Sequence, residues 1–367
     1  MTVHTLEFDA TLLHLSAKWA FTTRRVKHDD VAGLDPAVAS GVAGDLVLCE
    51  VSEIRQHKKI QLATGRATTS YVGGKVVLCI GDRYAPDQFE GSARITPERA
   101  DLLAGGGVVG TMAHAHARMD EPTKLRPLGL LTDRDGAVVN IARYGLPAST
   151  IPDHVTVIGV FGASMNAGKT TAAVSLAHGL SRAGFSVAGV KATGTGAFSD
   201  FNAFEDAGVC AMDFTDAGMP TTYRMPMDRV EQGFETLVGT AAAHGADIVV
   251  VEIADGVFQQ ETRAILEGSR IRDRLDAILF ATPDALGAVG GARVLADHGL
   301  KPFAMSGKLT QSPLAMAEAR IATGIPQLTR EQLCTPTDVL ARAGGIMRPA
   351  RPHTPARAVR MHEMTAA

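Results

Sequence analysis

The residues best suited to chemistry are Ala163-Ser164-Met165-Asn166-Ala167-Gly168-Lys169-Thr170. They fit the phosphate-binding pattern G-x-x-x-x-G-K-[ST], with alanine at its first position and Gly162 just before it. Gly168 has no side chain, so its backbone can approach a phosphate closely. Successive N–H groups and the N-terminus of a following helix concentrate positive potential on an anion. Lys169 supplies a point charge for β- and γ-phosphates, and the Thr170 hydroxyl can ligate Mg²⁺. Thr171, the next residue, is a candidate contact for an α-phosphate. A chance glycine turn with a lysine beside it would lack the flanking strand and helix that this stretch has.

Such a loop needs an acid to hold the magnesium, normally at the end of a neighbouring strand. The apolar run "DIVVVE" ends in Glu252, and Asp255 follows in the next turn. A carboxylate at the carboxyl end of a buried strand points into the crevice where phosphates sit. The alternative for Glu252 is a strand-end residue that faces water. Asp255 reads equally as a loop residue or a second acid. Lys191 ends the run "FSVAGVK", and taken alone it is a charged strand end reaching for solvent.

The elements that must position these residues alternate after residue 150, as in a parallel α/β sheet. "HVTVIGVFG" is an apolar run too short for a helix. "KTTAAVSLAHGLSRAG" carries Ala173, Leu176, Ala177 and Leu180 on one helical face, with Gly184 placed to end it. "RVEQGFETLVGTAAAHGA" is amphipathic, "AILFA" and "PFAM" are further strands, and helices are expected at 259–275, 285–298 and 313–322.

The order of these motifs resembles dethiobiotin synthetase and its relatives among P-loop ATPases, over roughly residues 155–330. That family has a K-P-V-x-[ST]-G stretch after its second strand, matched here by Lys191-Ala-Thr-Gly-Thr195-Gly196. Its magnesium-ligating aspartate, in an S-D-A-L-type context, is matched by Asp200 in "FSDFNAF", and its V-E-G-A-G-G by Val251-Glu252-Ile-Ala-Asp255-Gly256. The chain is also similar to DUF1611-like P-loop proteins, which carry an extra N-terminal domain, and to MobB-type GTP-binding proteins. The resemblance implies Mg-ATP as cofactor. It also implies that Lys169 and Lys191 neutralise a transferred phosphoryl group, that Thr170, Asp200 and Glu252 surround Mg²⁺, and that Thr195 contacts a phosphate or the substrate. Asp206 and Asp213 compete with Asp200 for its role. The resemblance further implies a homodimer with its active site near the subunit interface. The sequence departs from the family in two places: Ser164 and Asn166 stand where the family loop is acidic, and Asp255 replaces a small residue. The ATPase core therefore transfers better than the biotin-precursor substrate. The reaction expected is ATP-dependent phosphoryl transfer to a small carboxylate or carbamate, of kinase or ligase type. The alternative is a nucleotide-driven switch whose N-terminal domain binds a protein partner.

The 367 residues suggest two or three domains. The expected division is a smaller β-rich, barrel-like domain over 1–150, a P-loop domain over 151–345 with its parallel sheet flanked by helices, and a flexible basic tail over 346–367. Short apolar runs bounded by glycine mark the first part, and "GDLVLCEVSEI" and "GKVVLCIGDRY" echo each other in the manner of a duplicated hairpin. "TPERADLLAGGGVVGTMAHAHARM" reads as a glycine-broken helix, and "DRDG" as a turn between "LGLL" and "AVVNIA".

A net charge of −3 sets up no field for nucleic acid or anionic membrane, and 5% aromatic residues leave little surface for stacking bases. No basic flank followed by an apolar stretch opens the chain, and no run approaches 18 uninterrupted apolar residues. Four dispersed cysteines form no C-x-x-C pair. A cytoplasmic protein with a small-molecule substrate, and with neither nucleic acid nor membrane as partner, is expected.

Weaker signals remain. Residues 211–226 are a candidate substrate loop or an ordinary connection. His114 and His116 would share a face on a strand and could bind metal there, but they diverge on a helix, so a structural or surface pair is expected. Lys124 and Arg126, between prolines, read as a solvated loop, and Arg55 to Lys59 as a solvated strand end or turn. The guanine signature N-K-x-D is absent, which favours ATP.

Overall fold

The computed structural model describes residues 17–347, so most of the expected basic tail lies outside the described residues. The chain forms two compact units, and the division is not a single cut. Among the described residues, the first comprises 17–146 together with 195–198 and 214–224; the second comprises 147–194, 199–213 and 225–347.

The first unit contains β1 (Ala17–Trp19), β2 (Gly33–Asp35), β3 (Leu46–Glu53), β4 (Lys59–Gln61), β5 (Ala67–Thr69), β6 (Lys75–Ile80), β7 (Phe89–Ser92), β8 (Ala100–Ala104), β9 (Val108–Ala115) and β10 (Lys124–Thr132). The pairings β6–β3, β3–β10, β10–β8, β8–β9 and β9–β6 form a closed circuit of five strands. β4 and β5 form a separate hairpin.

The two "LC" runs are neighbouring strands. They are β3 and β6, paired antiparallel with Leu46 opposite Cys79 and Cys49 opposite Val76. Their unbroken apolar sequence follows from burial on both faces. Val47, Cys49 and Val51 of β3 and Val76, Leu78 and Ile80 of β6 enter one core. Leu46, Leu48, Val77 and Cys79 enter the other. Burial pushes the thiols of Cys49 and Cys79 up, so both are inert packing groups.

The helix expected over residues 96–119 is instead the hairpin β8–β9. The reason lies at its turn. Gly107 has φ of +106°, and a Cβ on Gly106 would stand 2.0 Å from the carbonyl oxygen of Gly196. Glycine is needed for backbone-to-backbone approach to the 195–198 segment. Segment 214–224 is held by Asp216, which is 1% exposed and lies 2.6 Å from Arg24 Nη2 and 3.8 Å from Arg25 Nη1. "DRDG" does form a turn, with the Asp133 amide donating to the carbonyl of Ala137.

The second unit is a six-stranded parallel sheet in the order β13-β12-β14-β11-β15-β16. Its strands are β11 (Thr156–Gly162), β12 (Val187–Lys191), β13 (Cys210–Asp213), β14 (Ile248–Glu252), β15 (Ala277–Ala281) and β16 (Ala304–Ser306). Its helices are α1 (Lys169–Arg182), α2 (Phe198–Asp206), α3 (Met227–Ala243), α4 (Gln260–Glu267), α5 (Arg270–Arg274), α6 (Ala285–Asp297), α7 (Pro313–Thr323), α8 (Arg330–Cys334) and α9 (Pro336–Ala343).

Every residue of β11 and β14 is buried, which is what a parallel strand covered on both faces requires. The helix expected over 259–275 divides into α4 and α5 at Gly268, and Ser269 caps the second piece. α1 buries Ala173, Leu176, Ala177 and Leu180, and Gly184 follows it with φ of +96°. Among the described residues no helix is long and apolar enough to cross a membrane.

Candidate nucleotide site

The sheet order places β11 at the centre, flanked by β14 and β15. Side chains at the carboxyl ends of these strands face the crevice where open α/β sheets bind ligands. The loop leaving β11 carries the phosphate-binding pattern into α1. Gly168, with φ of +103°, is the residue before the helix. A Cβ there would come 2.9 Å from Gly307 Cα, and Lys308 N donates to the carbonyl of Ala167 at 3.0 Å. Glycine is therefore required by conformation and by packing. Asn166, at φ of +60°, takes a left-handed conformation that asparagine tolerates better than most residues. Ser164, Asn166 and Thr171 are exposed, Ala163 and Met165 are half-buried, and Ala167 is buried. The amides of the first helical turn have no intrahelical acceptors and point along the axis toward the loop.

Lys169 is buried and folds back over the loop, its Nζ donating to Ser164 O at 2.8 Å. Burial pulls its pKa down, while Glu252 and Asp255 pull it up and Lys191 adds to the depression. Two carboxylates thus offset part of the cost of keeping this cation inside.

Thr170 Oγ1 lies 3.1 Å from Asp200 Oδ1 and 3.0 Å from Glu252 Oε1. Asp200, in the first turn of α2, also forms an ion pair with Lys191. Three side chains from α1, α2 and the end of β14 therefore meet within hydrogen-bond distance, and the lysine that ends β12 joins them. Glu252 is 2% exposed, and its second oxygen, Oε2, is buried with no hydrogen-bond partner. An unsatisfied buried carboxylate oxygen beside a hydroxyl and a second carboxylate is a donor set that fits a hard divalent cation.

Among the described residues no group of three or more His, Cys, Asp or Glu side chains could hold a metal. The Thr170 set has only two carboxylates and would need phosphate oxygens or waters to complete a shell.

The other candidates fall elsewhere. Asp213, in register with Lys191 on the adjacent strand, is buried, and Asp206 is exposed at the end of α2. Thr195 belongs to the first unit, where it bridges Thr221. The 211–226 stretch is no exposed loop. Phe214 through Thr222 are buried, Tyr223 donates to Glu90 Oε1 at 3.0 Å, and Arg224 pairs with Asp82 and Glu90.

His114 sits on β9 with Nδ1 2.7 Å from Glu90 Oε2, and His116 Nδ1 accepts from the Arg118 amide. Lys124 and Arg126 lie in strand β10 rather than a loop, paired with Asp101 and Glu50 respectively. In the basic cluster, Arg55 pairs with Glu53, whereas His57 is largely enclosed and burial with nearby Arg83 lowers its pKa to about 4.

The parallel sheet, the glycine-rich turn from β11 into α1 and the acid at the end of β14 together define a P-loop NTPase fold. No family model matches the chain, and no curated protein matches it. Among solved structures it is similar to the signal recognition particle 54 kDa protein of Aeropyrum pernix K1 in complex with GDP, at 18% identity and a TM-score of 0.35. That match covers 53% of this chain and 50% of the other. It is also similar to the signal recognition particle receptor FtsY of Elizabethkingia anophelis, at 19% identity and a TM-score of 0.30, over 43% of this chain and 51% of the other. The chain thus spans about half the length of each of these structures.

Proposed function

We propose that the protein binds Mg-ATP at the β11–α1 loop and transfers the γ-phosphoryl group to a small carboxylate or carbamate, as a kinase or ligase. The observation that carries this reading is the meeting of Thr170, Asp200 and Glu252 at the mouth of the P-loop, with Lys191 paired to Asp200. Phosphoryl transfer is mainly positioning and electrostatic stabilisation, so two lysines, backbone amides and a metal-binding oxygen set are the parts required. Magnesium would be held by Thr170, Asp200 and Glu252, and when bound it neutralises charge on the phosphates. Lys169 leaves the Ser164 carbonyl to meet the β- and γ-oxygens. Lys191 exchanges part of its pairing with Asp200 for the transferred group. The resemblance to dethiobiotin synthetase supports ATP and an acid substrate, and it makes a homodimer the expected assembly.

ADP release from Mg-ATP, measured with the purified protein alone and with pools of amino acids and small carboxylates, tests this reading beside Lys169→Ala. Stimulation that the variant lacks supports it; bound ATP with no stimulation by any pool counts against it.

A second reading, a nucleotide-driven switch, is favoured by one observation. The chain enters the first unit at Thr195, shortly after the strand that ends in Lys191, and again at Phe214, directly after β13. A change at Lys191 would be felt by segments built into that unit. Turnover raised by a macromolecule rather than a small molecule would select this reading.

A further inference from the structure

Glu261 is a buried acid that the reading above leaves unused. It stands in the first turn of α4, it is 5% exposed, and neither carboxyl oxygen is paired with another residue. Among the described residues, the arginines of its own helix and of α5 are each held by other partners. On its own helix, Arg263 is held by Glu267. On α5, which packs against α4, Arg270 is held by Glu231 and Glu235, Arg274 by Asp276, and Arg272 by the carbonyls of Leu266, Glu267 and His298.

The charged group that acts on Glu261 is Asp255, a like charge from the loop after β14. Burial comes first, a hydrogen bond from its own backbone amide opposes it, Asp255 adds to it, and the Glu261 carboxyl is pushed up to about 7.

Asp255 connects this acid to the phosphate loop. Its charge is felt by Lys169. Next to it, Gly256 lies so close to the loop that a Cβ would stand 2.7 Å from Ala163 O and 2.9 Å from Ser164 Cα. On its other side, the Ala254 carbonyl accepts hydrogen bonds from Thr262 Oγ1 at 2.7 Å and Thr193 Oγ1 at 2.9 Å. The residue beside Glu261 therefore ties the start of α4 to the loop that rests on Ala163 and Ser164.

We propose that Glu261 is a positioning residue of the nucleotide site, coupled in charge to Asp255 on the loop that rests against the P-loop. Protonated, it leaves Asp255 as the single negative charge on a loop seated against the P-loop; ionised, it adds a second negative charge that Asp255 feels and weakens the hold on an anionic nucleotide. The inference rests on the nucleotide reading. It adds a pH response to that site, with binding tighter on the acid side of neutrality.

The test is the dissociation constant of Mg-ATP for the full chain between pH 6 and pH 8.5, compared among wild type, Glu261→Gln, Asp255→Asn and Lys169→Ala. Wild-type affinity is expected to fall several-fold across the range. Glu261→Gln should hold its low-pH affinity throughout. Asp255→Asn keeps Glu261 and removes its like-charged neighbour, so the fall should persist with its midpoint moved to lower pH. That variant decides the matter if Glu261→Gln does not fold: an unmoved midpoint, or no fall, overturns the proposal. A slope in Glu261→Gln equal to that of wild type also overturns it, whatever happens to stability, because a purely structural role would not alter the slope. Nucleotide binding that Lys169→Ala abolishes, with a flat wild-type profile, overturns the Glu261 role alone. Absence of binding by wild type at every pH overturns the nucleotide reading and this inference with it.

Discussion

Lys191 and Glu252 face each other as a register pair at the carboxyl ends of β12 and β14. Asp213 continues the row on β13, in register with Lys191 on its other side. One cation between two strand-end acids, with Asp200 paired to it from α2, is a lysine held in place before any phosphate arrives. Replacing it should damage the step in which charge develops more than the binding that precedes it. Lys191→Ala is expected to lower kcat by about 10²- to 10³-fold, the usual cost of losing one electrostatic donor, with nucleotide affinity changed by less than about tenfold. Steady-state turnover and a direct binding titration check this together, and equal losses in both would remove Lys191 from the transition-state role.

Thr170→Ala removes the hydroxyl that Asp200 and Glu252 share. The magnesium concentration giving half-maximal turnover should rise by about tenfold or more, since a metal ligand and the group that orients two others are lost together. Turnover at saturating magnesium should recover in part, and removing the metal with EDTA should abolish turnover in wild type and variant alike. An unchanged magnesium requirement would place the metal elsewhere.

Gly168→Ala meets two obstacles, a φ of +103° and a backbone 2.9 Å from the new Cβ. Nucleotide binding should drop by at least about tenfold, because the loop cannot keep its shape with a side chain there. Isothermal titration with Mg-ATP reads the loss, and circular dichroism confirms that the sheet survives.

Asp216→Ala leaves Arg24 with its charge and without its buried acid. Breaking a buried pair from one side typically costs about 3–5 kcal/mol, so the thermal midpoint should fall by several degrees or the first unit should melt separately. Differential scanning calorimetry distinguishes these from no change, which would show the pair to be dispensable.

His57 gives the fold a pH dependence of its own. Burial and nearby Arg83 hold its pKa at about 4, below the usual value near 6.5, so the folded protein keeps it neutral. The unfolded chain takes up the proton first as pH falls. The stability tied to the neutral ring is therefore complete above about 6.5 and is lost as pH falls toward 4. His57→Gln should flatten urea-melt stability over that window; an unaltered slope would mean another group carries it.

The P-loop and its acid could be read from sequence because each is a local string whose chemistry needs no distant partner. Lys169, Thr170 and Glu252 announce themselves by position after or at the end of an apolar run. The β8–β9 hairpin is hidden because residues 96–119 carry alanine and leucine that suit a helix, while Gly106 is explained only by Gly196, distant in sequence. Glu261 was missed for a similar reason. A glutamate near a helix start normally faces water, and nothing in "QQETRAILEG" signals that this one is enclosed. The basic pair Lys124 and Arg126 was read from flanking prolines, yet register with β3 and the buried charge of Asp101 make that stretch a strand.

The first unit is assembled from three separate stretches of chain. A ribosome that has released residues 1–150 has therefore not yet made it. Its last piece, 214–224 with Asp216, emerges only after β11, α1 and β12 have been synthesised. A cut at residue 150 would therefore leave the first unit without 195–198 and 214–224.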